Sequence, residues 1–196
     1  MIPLTAVSVV VLAAGLSKRH PGENKLARPL RGKPLAAHVA DTLATLPFLQ
    51  RIAVVAELDA KIAEIFARRN FTVIANAEPA RGQGHSLALG VARALQDNRS
   101  QAIMVCLADM PFVSARLIEK LAAALSTDSD AAICVVGDHI TPPAIFRRRH
   151  AEPLLTLDGD VGARKIVAAL THVAKVEASP DLLADFDTDE DFKGQN

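Results

Sequence analysis

The sequence predicts a three-layer, doubly wound α/β fold with a mostly parallel sheet, formed by a single domain over residues 1–196. Three observations lead to this prediction. Short apolar runs of strand length alternate with segments whose apolar residues recur every three or four positions. The strand-like runs are continuous, which is typical of parallel strands covered on both faces. A chain of 196 residues, half of them hydrophobic, also has the size and composition of one well-packed domain.

The first half of the chain contains the clearest elements. Residues 7–13 are mostly β-branched and continuously apolar, so they predict the first strand. Pro34 suits the first turn of a helix, and the apolar spacing after it predicts a helix over residues 34–46. The alternation then repeats, with strands predicted at 51–56 and 71–75 and helices predicted at 59–69 and 84–96.

The second half continues the alternation and then becomes less regular. Ser114 is a candidate N-cap for a helix that follows a strand and precedes another. Pro142 and Pro143 interrupt the pattern and precede a short strand. The predicted strands are 101–107, 131–136, 144–146 and 172–176, and a further helix is predicted near 161–170.

The composition excludes several classes of protein. Lys plus Arg and Asp plus Glu number 22 each, so the chain lacks the basic character of a general nucleic-acid binder. The apolar run over residues 7–14 is too short to span a bilayer and follows no basic segment, so we expect a cytoplasmic protein without a membrane partner. Cys106 and Cys134 lack metal-type spacing and lie in strand-like runs, which predicts two buried thiols.

The connection after the first strand is a candidate phosphate-binding loop. Ligands of such sheets bind beyond the carboxyl ends of the strands. The segment from Leu12 to Lys25 places small residues at the turn and then the cations Lys18, Arg19 and Lys25, and amides with cations can neutralise a triphosphate. The spacing matches neither a dinucleotide-binding loop nor a P-loop. A tight strand exit followed by solvated surface cations is the alternative interpretation.

Asp109 is the second candidate, because it follows the predicted strand 101–107 and should face the same crevice. Magnesium prefers carboxylate, phosphate and water oxygens, so one or two aspartates would suffice to hold it against the phosphates. An ordinary aspartate at a helix N-terminus is the alternative.

These residues resemble the MobA-like nucleotidyltransferases, and within them the molybdenum cofactor cytidylyltransferases, over nearly the whole chain. The resemblance begins with Leu12-Ala-Ala-Gly-x-Ser-x-Arg19, Lys25 and Gly32-Lys-Pro-Leu35. It implies a Rossmann-like nucleotidyltransferase fold in which Arg19 and Lys25 are catalytic and contact the triphosphate. The other nucleotide-binding residues that it implies in this loop are Leu12, Ala13, Ala14, Gly15 and Ser17.

Two further motifs extend the implied nucleotide site. Gly84-His-Ser86 resembles the segment that helps to hold the cytosine nucleotide, although His85 is an unusual residue there and is given only a binding role. Asp109-Met-Pro111 resembles the magnesium motif and implies that Asp109 contributes to metal binding, nucleotide binding and catalysis. The nucleotide-binding part is therefore expected over about residues 1–112.

The acceptor-binding part is expected over about residues 113–196. Segments 141–146 and 159–164 resemble those of the cytidylyltransferase branch that face the pterin substrate, which implies substrate contacts by Pro143, Asp160 and Gly162. Asp185-Phe-Asp-Thr188 resembles the closing motif of the family and implies Asp187 as a second metal ligand. A surface acidic tail is the alternative for Asp187, and a helix-terminal ion pair with Arg164 is the alternative for Asp160.

The resemblance implies a magnesium-dependent enzyme that transfers CMP from CTP to molybdopterin, releases pyrophosphate and supplies its product to a molybdenum hydroxylase. Three alternatives remain: a guanylyltransferase using GTP, a cytidylyltransferase for a sugar-alcohol phosphate, and a non-catalytic nucleotide or cofactor carrier. The opening loop departs from the family by one extra residue, with His20-Pro21 ahead of Gly22, which leaves the acceptor open.

Overall fold

The structure is a computed structural model that describes residues 2–15, 24–57, 59–160 and 162–193. Its strands are β1 Val7–Ala13, β2 Pro29–Leu30, β3 Lys33–Pro34, β4 Gln50–Ala56, β5 Thr72–Asn76, β6 Ala102–Leu107, β7 Ala131–Val136, β8 His139–Arg147 and β9 Val173–Glu177. Its α-helices are α1 Leu35–Ala44, α2 Ala60–Ala67, α3 Gln83–Leu95, α4 Ala115–Ala124, α5 Arg164–Ala169 and α6 Asp189–Phe192.

Seven strands form the main sheet in the order β5-β4-β1-β6-β8-β7-β9. β1 pairs in parallel with β4 and β6, β4 with β5, and β7 with β9, whereas β8 is antiparallel to both of its neighbours. Val9 and Val11 of β1 pack with the helices α1, α2 and α4. Val10 and Leu12 pack on the opposite face with α3 and α5. The predicted three-layer α/β fold with a mostly parallel sheet is therefore confirmed.

β8 is the largest departure from the sequence-based expectation, because a strand was predicted only at 144–146. The register of β7 against β8 jumps between the pairs Ile133–Ala144 and Cys134–Thr141, so Pro142 and Pro143 lie outside the ladder. Prolines have no N–H to donate to a ladder, and a bulge of this kind accommodates them inside a longer strand. The Pro142–Pro143 peptide bond is cis.

Helix ends follow from local side-chain chemistry. Ser114 caps α4 as predicted, because its hydroxyl accepts a hydrogen bond from the Leu117 N–H over 3.2 Å. The prediction that Pro34 begins the first helix was wrong by one residue. Pro34 pairs with Pro29 in the β2–β3 hairpin, which turns at Arg31 and Gly32 with positive φ values of 47° and 79°. The α-helix begins at the next residue.

α3 packs unusually close to the sheet at Gly90. A Cβ atom built on Gly90 would lie 2.3 Å from Val10 Cγ1 and 3.0 Å from Val54 Cγ2. Glycine is therefore required for this approach of α3 to β1 and β4. Because α3 follows β5 through a 3-10 turn at Pro79–Arg81, its N-terminus lies at the carboxyl edge of the sheet.

The two cysteines are buried, as predicted. Burial raises the pKa of the Cys106 thiol and raises that of Cys134 to about 12, so both thiols are protonated at neutral pH. Within the described ranges, no helix has the length and apolar character needed to cross a membrane.

Candidate active site

A lysine and two aspartates meet at the carboxyl edge of the sheet. Lys25 Nζ lies 2.7 Å from Asp109 Oδ2 and also forms a hydrogen bond with Asp187 Oδ1. The Lys25 side chain is only 14% exposed and that of Asp109 is 21% exposed. Burial acts to lower the pKa of Lys25, but the two carboxylates outweigh it and raise the pKa above the usual value. The amine is therefore a cation held between two anions.

Lys25 and Asp109 are placed by the ends of neighbouring elements. Lys25 begins a 3-10 turn whose N-cap, Asn24, accepts the Leu26 N–H over 3.0 Å. Asp109 follows β6, where the Ala108 N–H donates to the Leu12 carbonyl oxygen over 3.1 Å and continues the pairing with β1. Because β1 and β6 are neighbouring strands, the segments that follow them meet, and Lys25 and Asp109 lie in contact although they are far apart in the sequence.

Asp187 is placed by a network that sequence reasoning missed. Asp191 Oδ2 accepts the N–H groups of Asp187 and Thr188 over 2.8 and 2.6 Å, and the Thr188 hydroxyl over 3.0 Å. The Phe186 N–H donates to the Asp109 carbonyl oxygen over 3.0 Å. The C-terminal segment therefore returns to the sheet edge and brings its carboxylate to Lys25. The short spacing from Thr188 to Asp191 is the one sequence feature that indicates this capping box.

An aromatic cluster, formed by Phe112, Phe186 and Phe192, supports this return. The ring centroid of Phe186 lies 5.5 Å from that of Phe112 and 5.2 Å from that of Phe192, both edge-on. The Arg28 guanidinium stacks 4.1 Å from the Phe192 ring and forms an ion pair with Asp189 over 2.5 Å. Edge-on ring pairs and stacked guanidinium groups each add to the energy of burial.

The carboxylates fit a divalent cation. Asp109 Oδ1 is buried and accepts no hydrogen bond from any described residue, which leaves it available to a ligand. No cluster of three or more His, Cys, Asp or Glu side chains that could hold a metal occurs in the described part of the chain. Magnesium commonly takes one or two carboxylates together with water and substrate phosphates, so Asp109 and Asp187 are a sufficient protein contribution.

A cavity of about 250 Å³ opens beside Lys25 and Asp109. It brings together many of the predicted nucleotide-binding residues from the β1 loop, the α3 N-terminus and the β6 loop. Its lining residues are Leu12, Ala14, Gly15, Lys25, Leu26, Pro79, Ala80, Gly82, Gln83, Ser86, Leu107, Asp109 and Asp160. We call this the first cavity.

Several predicted nucleotide-binding residues do not line the first cavity. Ala13 is buried within β1. Gly84 packs against the backbone of Asp158, where a built Cβ would lie 2.9 Å from the nearest atom. His85 Nε2 lies 4.0 Å from a Glu78 carboxylate oxygen. Lys18, Ser17 and Arg19, the other residues predicted to handle phosphate, lie outside the described residues.

Asn76 is a further residue that sequence reasoning missed, and it supports Ser86 on the wall of the first cavity. Its buried side chain donates to Ser86 Oγ over 3.0 Å and accepts the Glu78 N–H over 2.8 Å. It therefore fixes both the Ser86 hydroxyl and the turn that follows β5. A polar residue at the end of an apolar strand was the feature that could have indicated it.

A second cavity, of about 520 Å³, adjoins the first and shares Gln83, Leu107 and Asp160 with it. Two of the residues expected to contact the acceptor, Asp160 and Gly162, line this cavity. Pro143, the third, does not line it, and the proline on its wall is Pro142. Its other lining residues are Met110, Ile133, Ile140, Thr141, Ala144, Phe146, Ala163, Arg164, Val167, Leu183 and Asp185.

This fold and site define a class of protein. A buried cation and two carboxylates at the carboxyl edge of a mostly parallel sheet, beside two joined cavities, are suited to transfer at phosphorus between two bound substrates. The protein is a nucleotidyltransferase. Residues 9–175 match the MobA-like NTP transferase domain, and the chain belongs to that family.

Relatives and solved structures agree with this assignment. The chain is 34% identical to the purine catabolism protein PucB of Bacillus subtilis, over 93% of this chain and 92% of that protein. It is 26% identical to a molybdenum cofactor guanylyltransferase of Vibrio parahaemolyticus, over 98% and 96% of the two chains. The crystal structure of Rv0371c from Mycobacterium tuberculosis superposes with a TM-score of 0.81 at 26% identity, over 98% and 97% of the two chains. A manganese complex of that protein superposes with a TM-score of 0.79 at 23% identity, over 96% of both chains.

Proposed function

We propose that the protein transfers CMP from CTP to molybdopterin in the presence of magnesium and releases pyrophosphate. The observation that carries this proposal is the placement of Lys25 between Asp109 and Asp187, on the wall of a cavity that continues into a second one. Two joined cavities suit two substrates, and the charged cluster lies where phosphate groups must be neutralised.

In the proposed reaction, an oxygen of the acceptor's terminal phosphate attacks the α-phosphorus of the nucleotide in line. The bond between the α-phosphorus and the bridging oxygen breaks, and pyrophosphate leaves with the bonding electrons. Lys25 donates hydrogen bonds to the triphosphate and offsets its charge. Asp109 and Asp187 would hold magnesium, which supplies a divalent positive charge to the phosphate oxygens. No covalent bond to the protein is required.

The nucleotide is proposed to lie in the first cavity with its phosphates toward Lys25. Gly15 offers open space for the backbone to approach a phosphate, since a built Cβ meets no atom of the described residues within 4 Å. The family resemblance adds Ser17 and Arg19 to this phosphate site. Ser86 lies on the same cavity wall, with its oxygen already accepting from Asn76, so its hydroxyl proton is available to a ligand.

The acceptor is proposed to lie in the second cavity. Its walls include the apolar side chains of Ile133, Ile140 and Phe146, which suit a flat heterocycle, together with the cation of Arg164. The similarity to a protein named molybdenum cofactor guanylyltransferase supports an acceptor of molybdopterin type. The product would then pass to a molybdenum hydroxylase.

Guanylyl transfer from GTP to the same acceptor is the second candidate function. The named guanylyltransferase aligns with nearly the whole chain, which favours this candidate over a sugar-alcohol phosphate acceptor. A non-catalytic carrier would have no need of a lysine held between two carboxylates. For the metal, the manganese complex of the mycobacterial protein is a precedent for a divalent cation in this fold, and we propose magnesium as the ion used here.

Pyrophosphate release by the purified protein tests the proposal. CTP, GTP and ATP are compared with magnesium, each with and without molybdenum-loaded molybdopterin, and Asp109→Asn serves as the inactive control. We expect release with CTP that depends on the pterin and is lost in the variant. Pterin-dependent release with GTP, and not with CTP or ATP, would favour the second candidate. No release with any nucleotide would refute nucleotidyl transfer to this acceptor.

A further inference from the structure

Asp160 lies at the junction of the two cavities and lines both of them. Its carboxylate accepts no hydrogen bond from any described residue, and the residue is exposed. The described cations on the cavity walls are Lys25 in the first cavity and Arg164 in the second, and neither forms an ion pair with Asp160. A carboxylate that faces a ligand cavity without a protein partner is available to accept hydrogen bonds from the ligand.

The segment that carries Asp160 is fixed against the nucleotide side of the site. The Gly84 N–H donates to the Gly159 carbonyl oxygen over 2.8 Å. Arg81 forms a two-bond ion pair with Asp158, at 3.2 and 3.1 Å. Asp158 therefore has a cation partner, whereas Asp160 has none among the described residues.

An oxygen of the Asp160 carboxylate lies close to Gly82, a residue of the first cavity. A Cβ built on Gly82 would lie 2.4 Å from the Gly159 carbonyl carbon and 2.7 Å from Asp160 Oδ1. Gly82 lines the first cavity and is absent from the lining of the second. Gly82 has a φ of 94°, so glycine is required there both for the backbone and for the contact. One Asp160 oxygen therefore lies against Gly82, the residue that precedes α3.

Charge decides which end of a nucleotide can approach Asp160. The Lys25 end has the amine and the magnesium ion that Asp109 and Asp187 would hold, so it attracts the phosphates. Asp160 has no cation beside it among the described residues, so it repels the phosphates and the base lies toward it. An ionised carboxylate can only accept hydrogen bonds. It therefore favours a base whose exocyclic group is an amine, which donates, over a base with a carbonyl there, which does not. Cytosine carries an amine at the position where uracil carries a carbonyl.

We propose that Asp160 is a specificity-determining residue that accepts a hydrogen bond from the exocyclic amine of the nucleobase. This inference rests on the proposed function, because it requires a nucleotide in the first cavity. It assigns Asp160 to the nucleobase, whereas the family resemblance implies a contact with the acceptor. It explains how one wall can select amine-bearing bases through attraction of the amine and repulsion of the carbonyl.

Equilibrium binding of CTP and UTP with magnesium, without acceptor, tests this assignment. The proteins are the parental chain, Asp160→Asn, and Asp138→Asn as a matched control on the exposed β7–β8 turn, which lines neither cavity. The parental chain and the control should bind CTP at least about tenfold more tightly than UTP, the effect expected of one hydrogen bond to a charged group. Asp160→Asn should bring the two affinities within about threefold, because an amide side chain both donates and accepts.

The decisive result is that Asp160→Asn binds UTP more tightly than the parental chain does. A general loosening of the loop would instead weaken the binding of both nucleotides. An unchanged ratio of CTP to UTP affinity in Asp160→Asn would overturn the inference. If the protein selects GTP, the same comparison is made with GTP and ITP, which differ by the ring amine. Loss of that discrimination would uphold the role of Asp160 while refuting the proposal for CTP.

Discussion

The Phe186 N–H donates to the carbonyl oxygen of Asp109 over 3.0 Å. One main-chain hydrogen bond thus joins the loop after β6 to the residue that precedes Asp187. The two carboxylates that contact Lys25 are therefore held together through the backbone as well as through the amine. The position of Asp187 depends on how the Phe186 ring packs.

We expect Phe186→Ala to lower both stability and turnover. Phe186 is 3% exposed and its ring lies between those of Phe112 and Phe192, so its removal leaves a cavity and lowers the free energy of unfolding by about 3 kcal/mol. Turnover should fall further than the folded fraction explains, because Asp187 loses its fixed position. Urea denaturation and steady-state kinetics measure the two effects, with Phe186→Leu as the milder variant. Full kcat in folded Phe186→Ala would contradict the positioning role.

Lys25→Met should lower kcat by about a hundredfold, because a buried cation no longer offsets the phosphate charge. In the absence of nucleotide, the same variant should bind Mn²⁺ more tightly, because Asp109 and Asp187 lose the amine that competes for their oxygens. Electron paramagnetic resonance measures free Mn²⁺. Lys33→Met is the control, since Lys33 pairs with Asp41 and lines neither cavity. Weaker Mn²⁺ binding in Lys25→Met would show that the carboxylates do not share a cation.

Asp187→Asn should raise the magnesium concentration required for half-maximal activity, because one of the two proposed ligands loses its charge. Asp189→Asn is the matched control: that carboxylate lies two positions along the same segment but pairs with Arg28 on the surface. Magnesium titrations of initial rate compare the two. Equal shifts in both variants would exclude Asp187 as a metal ligand.

Asp130 should make stability depend on pH in acid. Hydrogen bonds from Arg149 first, and also from His150 and the His172 N–H, hold the pKa of the Asp130 carboxyl well below its usual range. A lowered pKa stabilises the fold above the unfolded value of about 3.9, and this contribution is lost as pH falls toward the folded value. Asp130→Asn should therefore lower Tm at pH 7 and lower it progressively less below about pH 4. A difference in Tm that is constant with pH would refute this.

Gly90→Ala should destabilise the protein by about 1–3 kcal/mol, because the added methyl group meets Val10 Cγ1 at 2.3 Å in a packed core. Val10→Ala removes that atom, so the double variant should be more stable than the sum of the two single losses predicts. Chemical denaturation of the four proteins gives the coupling free energy. Additive losses would mean that the backbone of α3 relieves the contact.

Continuous β-branched runs and three- to four-residue apolar spacing were sufficient to predict most of the fold. β1 and α4, with its Ser114 cap, follow from local pattern alone. The length and direction of β8 could not be predicted in this way, because the bulge that accommodates Pro142 and Pro143 depends on pairing with β7. Sequence rules treat a proline as the end of a strand, whereas β8 continues on both sides of Pro142 and Pro143.

The site was predictable where a charged residue lies in the connection that follows a strand. Lys25 and Asp109 were identified in this way, and the structure brings them to one point. Asn76 and Asp191 were not identified, because their importance lies in contacts with Ser86 and with the Asp187 backbone that only the folded chain creates. Sequence reasoning therefore found charged groups that face the cavity more readily than the residues that hold them.

The reversed direction of β8 gives the two halves of the site different capacities for evolutionary change. Because β8 runs opposite to β6 and β7, the β7–β8 turn at Gly137 and Asp138 lies at the same edge of the sheet as Asp109. Insertions in this turn could extend the wall that includes Ile140 and Thr141 without altering β1 or α3. A lineage could thus acquire new acceptors by lengthening one hairpin while its nucleotide chemistry stayed the same.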